Sequence, residues 1–178
     1  MTSARIFLAL GGVAAIAACV PKAEQPPAPP QPRPVQPRPA PPPPPPAPVD
    51  WSLIPLTPGG WIYRSEGNGS QALFGPTGGE AAFIVACDRA ARQITLIRTG
   101  AAAGTAMAIR TSYGARNFPV TRRTAPPAGV SAPVAASDRF LDDMAFSRGR
   151  FTVDVAGAPI LIIPPWPEPA RAIEDCRG

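Results

Sequence analysis

Proline is distributed very unevenly along this chain of 178 residues, and its distribution limits where a folded domain can form. The chain has 28 prolines, and 16 of them lie between Pro21 and Pro48. Proline has no backbone N–H, and this stretch has few large apolar side chains, so it cannot build a packed core. The sequence therefore predicts a globular domain over residues 50–178, which is long enough to bury a hydrophobic core.

The predicted domain is close to neutral. Residues 50–178 contain 13 arginines and 11 acidic residues, although the whole chain has a formal charge of +5. The longest basic run in the domain is Arg122-Arg123, whereas nucleic-acid-binding domains present a basic patch or stripe. We therefore expect no nucleic-acid partner.

The first 20 residues have the pattern of a secretory signal. Arg5 is followed by 15 apolar or small residues from Ile6 to Val20. A membrane-spanning helix needs about 20 such residues, and the Gly11-Gly12 pair weakens a helix further. A charged start, a short apolar stretch and small residues at its end predict a signal peptide over residues 1–18.

The tetrapeptide Ile16-Ala17-Ala18-Cys19 resembles the lipobox of bacterial lipoproteins. The resemblance implies cleavage between Ala18 and Cys19, a diacylglycerol thioether on the Cys19 sulfur, and a fatty acid such as palmitate on its new amine. More than one chain suits durable anchoring, because a single acyl chain binds a membrane only marginally. Val20 resembles the following residue of lipoproteins sorted to the outer membrane, so we expect an outer-membrane anchor facing the periplasm.

Two other interpretations of the N-terminus stay open. Cleavage after Ala15-Ile16-Ala17 would release a secreted protein in which Cys19 is a plain thiol. Alternatively, the apolar segment stays uncleaved and serves as an anchor.

Residues 19–49 are predicted to form a disordered, lipid-anchored tether. A tract this rich in proline favours extended polyproline II, which at roughly 3.1 Å per residue reaches on the order of 90 Å. The tether would hold the domain away from the membrane. Its Pro-x-x-Pro spacing also fits a ligand of proline-reading domains, which is the alternative role of this segment.

Beyond residue 50, short apolar runs alternate with turn signals at roughly 8–12-residue intervals, as in small sandwiches and barrels. Strands are predicted over residues 61–65, 71–75, 81–87, 92–99, 106–112, 117–123, 150–155 and 159–164. Pro119 indicates an edge strand. Short helices are predicted over residues 137–149, with Ser137 as N-cap, and 167–176, and a loop over Pro126–Ala136. We expect a mainly β, antiparallel sandwich or barrel-like domain with two short helices.

Two cysteines remain for the domain if Cys19 carries lipid. In an oxidising periplasm, an isolated pair such as Cys87 and Cys176 predicts a disulfide. This bond would connect the C-terminal helix to a central strand. Two buried free thiols are the alternative.

A cysteine closes a strand in "FIVACDRAARQITLIR", and two strands and a terminal helix follow in "FTVDVAGAPILIIPPWPEPARAIEDC". This pattern resembles the invasion-associated locus B group, over residues 61–178. The resemblance implies a small periplasmic β-rich domain. It rests on no diagnostic motif and implies no particular activity.

The residue inventory excludes most catalytic chemistry. The chain has no histidine, and its only lysine, Lys22, lies outside the predicted domain, which excludes His-based catalysis, His-metal sites and a Ser-Lys dyad. Asp142-Asp143 and Glu174-Asp175 occupy adjacent helical positions that point in different directions, as solvated charges do. We expect no enzyme, cofactor or metal; a carboxylate-based periplasmic hydrolase, which needs two carboxyl groups across a cleft, is the alternative.

Four residues are candidates for a binding surface. Arg64, Arg98 and Arg110 lie on predicted strands where they could face solvent together, and Trp166 lies in an extended, proline-rich segment. Such a patch could pair with phosphates or carboxylates of the cell envelope; scattered solvated charges and a packing tryptophan are the alternatives. The sequence thus predicts an envelope lipoprotein whose domain is a structural or binding module, with cell wall or envelope proteins as partners.

Overall fold

A computed structural model describes residues 50–100 and 103–178. The predicted signal peptide and tether, residues 1–49, lie outside the described residues. Two antiparallel sheets, two α-helices and a short 3₁₀ helix, Trp51–Leu53, form the regular structure of the described part of the chain. The predicted fold class, a mainly β, sandwich-like domain with two short helices, is therefore confirmed.

The larger sheet has six strands, with two hairpins at its start. Its strands are β1 (Gly60–Glu66), β2 (Gly69–Gly75), β3 (Phe83–Asp88), β4 (Gln93–Thr99), β7 (Thr121–Arg123) and β8 (Gly129–Ala135). They lie in the order β1-β2-β3-β4-β8-β7, and all neighbours are antiparallel. β1 and β2 join through a two-residue turn in which Gly67 has φ of +46°, a conformation that suits glycine.

The smaller sheet has four strands and covers one face of the larger one. Its strands are β5 (Ala106–Arg110), β6 (Ala115–Pro119), β9 (Phe151–Val155) and β10 (Leu161–Ile163), in the order β10-β9-β5-β6. The single strand predicted over 117–123 is thus wrong, because the chain passes from one sheet to the other at Val120. Pro119 does lie in an edge strand, β6, as its missing N–H predicts.

The core lies between the two sheets and under the helices. Along each central strand, alternate residues point inward, so the two sheets bury facing rows of apolar side chains. Trp61 contacts Phe74 and Phe83, and Phe83 contacts Phe151 of the other sheet, with ring centroids 5.4 to 6.3 Å apart. These tilted contacts join the sheets near the start of β1.

Two helices, α1 (Phe140–Ala145) and α2 (Pro167–Arg177), close the domain. Ser137 is not the N-cap of α1. The side chain of Asp138 instead accepts a hydrogen bond from the Phe140 amide, 2.9 Å long, which delays the start of the helix. α2 begins with Pro167, as expected for a first-turn proline, and buries Ala172, Ile173 and Cys176.

The prediction of a loop over Pro126–Ala136 is wrong for most of that segment. Strand β8 buries Val130, Ala132 and Val134 in an alternating pattern. The prolines concealed this strand because a central strand does not tolerate them. β7, however, pairs only with residues 129–131 of β8, so Pro133 lies where one side of the strand is a free edge.

Candidate functional site

The four residues predicted as one binding surface occupy three different places. Arg64 lies on the exposed face of β1, and Trp166 directly precedes α2. Arg110 is also exposed, but lies on β5 of the other sheet. Arg98, on β4, is only 6% exposed. The prediction of a shared, solvent-facing arginine patch is therefore wrong, because alternation turns Arg98 inward and Arg110 belongs to a different layer.

Arg98 connects backbone segments. Its guanidinium donates from Nη1 to the carbonyls of Ala82 and Thr99 (3.2 and 2.7 Å) and from Nη2 to that of Pro159 (3.0 Å). Burial lowers the pKa of this arginine from its ordinary value. Its donors join strand ends of the larger sheet to the connection between β9 and β10, so its role is structural.

Arg64 lines a cavity of about 220 Å³ at the start of the first hairpin. Ile62, Leu73 and Ala81 provide apolar walls, and Arg64 is the one charged residue among those described as lining it. A Cβ atom on Gly60 would lie 3.5 Å from the Trp166 indole, which places that ring at the cavity's margin. The indole is 46% exposed. We call this the hairpin cavity.

A larger groove, of about 470 Å³, lies over the outer face of the four-stranded sheet. Its lining residues include Trp51, Ile54, Ala108, Arg110, Asn117 and Asp154. We call it the sheet groove. Arg110, the third predicted arginine, therefore lies here and not near Arg64.

The register of the strands sets the shape of the sheet groove. Ala108 on β5 pairs with Asn117 of β6 on one side and with Asp154 of β9 on the other. All three side chains face outward. The small side chain of Ala108 therefore forms the floor of the groove between the Asn117 amide and the Asp154 carboxylate. Strands β6 and β9, which carry Asn117 and Asp154, are two strand spacings apart, or about 9.5 Å. Arg110 lies in the adjacent outward row, between Ala115 and Thr152.

Residues 50–59 lead into β1, and we call them the lead-in segment. Its Trp51 and Ile54 form one wall of the groove. Asp50 accepts hydrogen bonds from the Ser52 amide and hydroxyl (2.9 and 2.7 Å), and the hydroxyl bond is the main cause of its lowered pKa. Arg150 donates to the Ile54 carbonyl. Thr57 exchanges two hydrogen bonds with Ile162 of β10. These contacts fix Trp51 and Ile54 relative to the sheet.

Two residues of β9 line the groove and differ in exposure. Thr152 pairs with Arg110 and is only 4% exposed, whereas Asp154 is exposed. Asp154 is therefore the more accessible of the two.

Sequence reasoning did not identify Trp51, Asn117 and Asp154 as one site. Asp154 is the one exposed residue of strand β9. The neighbours that complete the groove come from β6 and from the lead-in segment, 37 and about 100 residues away along the chain. No local pattern shows that these segments meet.

Helix α2 is held to the larger sheet by covalent and polar contacts. Cys87 and Cys176 form a disulfide with a Cα–Cα distance of 5.4 Å. Next to it, the Tyr63 hydroxyl donates to the carboxylate of Asp175. The Arg171 guanidinium lies 4.1 Å from the centroid of the Tyr63 ring, a cation–π contact.

One acid of each carboxylate pair of the sequence, Asp142 and Asp175, is engaged in such structural contacts. Asp142 forms an ion pair with Arg177 (2.7 Å), and Asp175 is bound by Tyr63 and lies 3.8 Å from Arg89. The Arg89 side chain that faces Asp175 comes from the turn after β3. These acids therefore lie at the helix contacts and not in either cavity.

Comparisons with protein-family models, with curated proteins and with solved structures find no match. In the part of the chain that the structure describes, neither helix has the length and apolar character needed to span a bilayer. Nor do three or more His, Cys, Asp or Glu side chains converge as metal ligands among residues 50–100 and 103–178.

Proposed function

We propose that this protein is a bacterial envelope lipoprotein, anchored through acylated Cys19 and carrying a periplasmic binding module. The lipobox at residues 16–19 supports the anchor, and the proline tract at residues 19–49 supports a spacer. Outer-membrane sorting is supported by Val20. The partners of the module are components of the cell wall or envelope proteins.

The sheet groove is the observation that carries the binding function. It combines the apolar side chains of Trp51 and Ile54 with exposed polar groups on one sheet face. Among the described residues, neither Arg110 nor Asp154 takes part in an ion pair, so both are available to a ligand. Binding sites generally combine an apolar surface with a few such polar groups on a rigid scaffold.

Binding is favoured over hydrolysis by the acids of the groove. Asp154 is the one carboxylate among the described residues that line it. A glycosidase needs two carboxyl groups across its cleft, and the chain has no histidine that could act as an alternative base. The groove can therefore hold a ligand but lacks a partner for acid–base catalysis.

The anchor is tested with the Cys19→Ser variant. We expect this variant to lose palmitate incorporation and to move from the sedimented membranes to the soluble fraction, because the thioether cannot form. Wild-type protein labelled in parallel is the control. Unchanged processing at the Ala18–Cys19 bond together with unchanged sedimentation would overturn the lipoprotein assignment.

The binding function is tested by incubating purified protein with isolated cell envelopes. We expect wild-type protein to be retained and the Arg110→Ala/Asp154→Ala double variant to be released, since both side chains face the sheet groove. Arg64→Ala is a matched control, because it also removes an exposed strand arginine, but at the hairpin cavity. Equal retention of the double variant and wild type would contradict a binding role for the groove.

A further inference from the structure

We propose that the ligand of the sheet groove is an uncharged saccharide. This inference deepens the proposed binding function and depends on it. It rests on three features of the groove, which are the polar side chains on either side of Ala108, the apolar wall, and the balance of charge.

The polar side chains suit a ligand with several hydroxyl groups. The Asn117 amide can donate and accept hydrogen bonds, the Asp154 carboxylate accepts, and the Arg110 guanidinium donates. A hydroxyl group is both donor and acceptor, so neighbouring hydroxyls of one sugar ring can satisfy all three. The strands that carry Asn117 and Asp154 are about 9.5 Å apart, which leaves room for one such ring between the two side chains.

The apolar surfaces suit the C–H face of a sugar ring. Trp51 and Ile54 form the wall, and Ile160, which is 44% exposed, lies at the margin. Aromatic side chains offer a large, rigid contact surface of this kind. Ala108 and Ala115 keep the floor low, so a flat ring can approach the backbone of β5 and β6.

The charges of the groove favour a neutral ligand. Arg110 and Asp154 are opposite in sign and lie on adjacent strands, so their charges balance. An anionic ligand would meet the Asp154 carboxylate, and a cationic ligand would meet Arg110; both contacts are repulsive. A neutral polyol can bind both residues without such a penalty.

The wall is already in place before a ligand binds. Arg150 and Thr57 hold the lead-in segment on the sheet, and Asp50 stabilises the turn that carries Trp51. Less conformational freedom is then lost on binding, which favours affinity for a small ligand. The groove therefore needs no rearrangement to receive a sugar ring.

The inference is tested by calorimetric titration of the full processed protein in detergent micelles. The probes are a β-1,4-linked N-acetylglucosamine tetramer, a β-1,4-linked glucose tetramer and, as the acidic control, a galacturonate tetramer. We expect saturable binding of at least one neutral tetramer and binding of the acidic tetramer that is weaker by tenfold or more. A tenfold difference in affinity corresponds to about 1.4 kcal/mol, and a contact between like charges costs more than that.

Groove variants locate the binding. We expect Asp154→Ala and Asn117→Ala each to weaken binding of the neutral tetramer by about tenfold, as expected for a lost hydrogen bond. Arg64→Ala should leave it within about twofold. Both groove residues are exposed, so these variants avoid the folding risk of Trp51→Ala; Trp51→Phe, which keeps an aromatic ring, should retain binding.

The outcomes separate the two proposals. If the groove variants release the protein from envelopes but neither neutral tetramer binds, the saccharide inference is wrong and the binding function stands. If a tetramer binds equally to wild type and to the Asp154→Ala variant, the ligand does not occupy the groove and the inference is again wrong. If the groove variants are retained on envelopes as well as wild type is, and no neutral tetramer binds, both the binding function of the groove and the saccharide inference are wrong.

Discussion

The hydroxyl of Tyr63 donates a hydrogen bond to the carboxylate of Asp175, which joins edge strand β1 to the last turn of helix α2 across 112 residues of sequence. The neighbouring residue of the helix, Cys176, is the partner of Cys87 in the disulfide. The end of α2 is thus attached to β1 by a hydrogen bond and to β3 by a covalent bond. This arrangement holds the terminal helix over the inner face of the larger sheet.

Replacing Tyr63 by phenylalanine tests the hydrogen bond. We expect the free energy of unfolding to fall by about 1 kcal/mol, because Asp175 loses its donor while the ring and its contact with Arg171 are kept. Urea unfolding followed by tryptophan fluorescence measures this change. The Tyr113→Phe variant is the control, since Tyr113 is 54% exposed; an equal loss there would contradict the assignment.

The effect of Tyr63→Phe should depend on pH. The hydrogen bond from Tyr63 is the main cause that lowers the pKa of Asp175 below its ordinary value. A carboxyl group whose pKa is lower in the folded state stabilises the fold above its unfolded pKa, near 3.9, and this contribution is lost as pH falls through the folded pKa. The difference in urea midpoint between the variant and wild type should therefore be smaller at pH 3 than at pH 7. A difference of the same size at both pH values would disprove the linkage.

Arg98 is predicted to be a residue of stability and not of binding. The Arg98→Met variant removes the donors to the carbonyls of Thr99 and Pro159 and should lower the free energy of unfolding by about 2–4 kcal/mol. The matched change Arg110→Met, at an exposed strand position, should stay within about 0.5 kcal/mol. Urea unfolding of the two variants gives the comparison, and equal losses would refute the structural role of Arg98.

The disulfide should contribute strongly to stability. It joins residues 89 positions apart, and for a loop of that length the chain-entropy model gives an upper value of about 4–5 kcal/mol. The Cys176→Ser variant should lose up to this amount of unfolding free energy, which lowers its urea midpoint. The Cys19→Ser variant, which alters a cysteine outside the predicted domain, should unfold at the wild-type midpoint. Mass measurement without reductant checks the bond itself, and two free thiols in protein purified without reductant would exclude it.

Gly129 is predicted to tolerate no side chain. It has φ of +155°, and a Cβ atom there would overlap the carbonyl oxygen of Arg98 and lie 2.8 Å from the Thr99 Cα. The Gly129→Ala variant should therefore lose at least about 2 kcal/mol of unfolding free energy by separating β8 from β4. Gly114, near which a Cβ meets nothing within 4 Å, provides the control; equal stability of both variants would contradict the prediction.

The hairpins of the larger sheet were predictable because their signals are local. Alternating apolar residues and a glycine-containing turn lie within about 15 residues in the case of β1 and β2. Strand β8 was not predictable in this way, because its tolerance of Pro133 depends on how far β7 extends beside it. The same holds for the division of residues 115–123 between two sheets, because no local signal in this stretch marks the change of sheet at Val120.

The sequence by itself determined the class of the protein and where its domain can form. The prolines of residues 21–48 lack an N–H and predict a domain that begins after them, and the alternation and spacing of apolar runs beyond residue 50 predict an antiparallel β fold. The tertiary structure alone decided which polar residues lie together. Alternation turns Arg98 inward, strand register places Asn117 and Asp154 on either side of Ala108, and the lead-in segment adds Trp51 to that face. Such groupings arise from strand pairing between distant segments, whereas sequence patterns report only on neighbours along the chain.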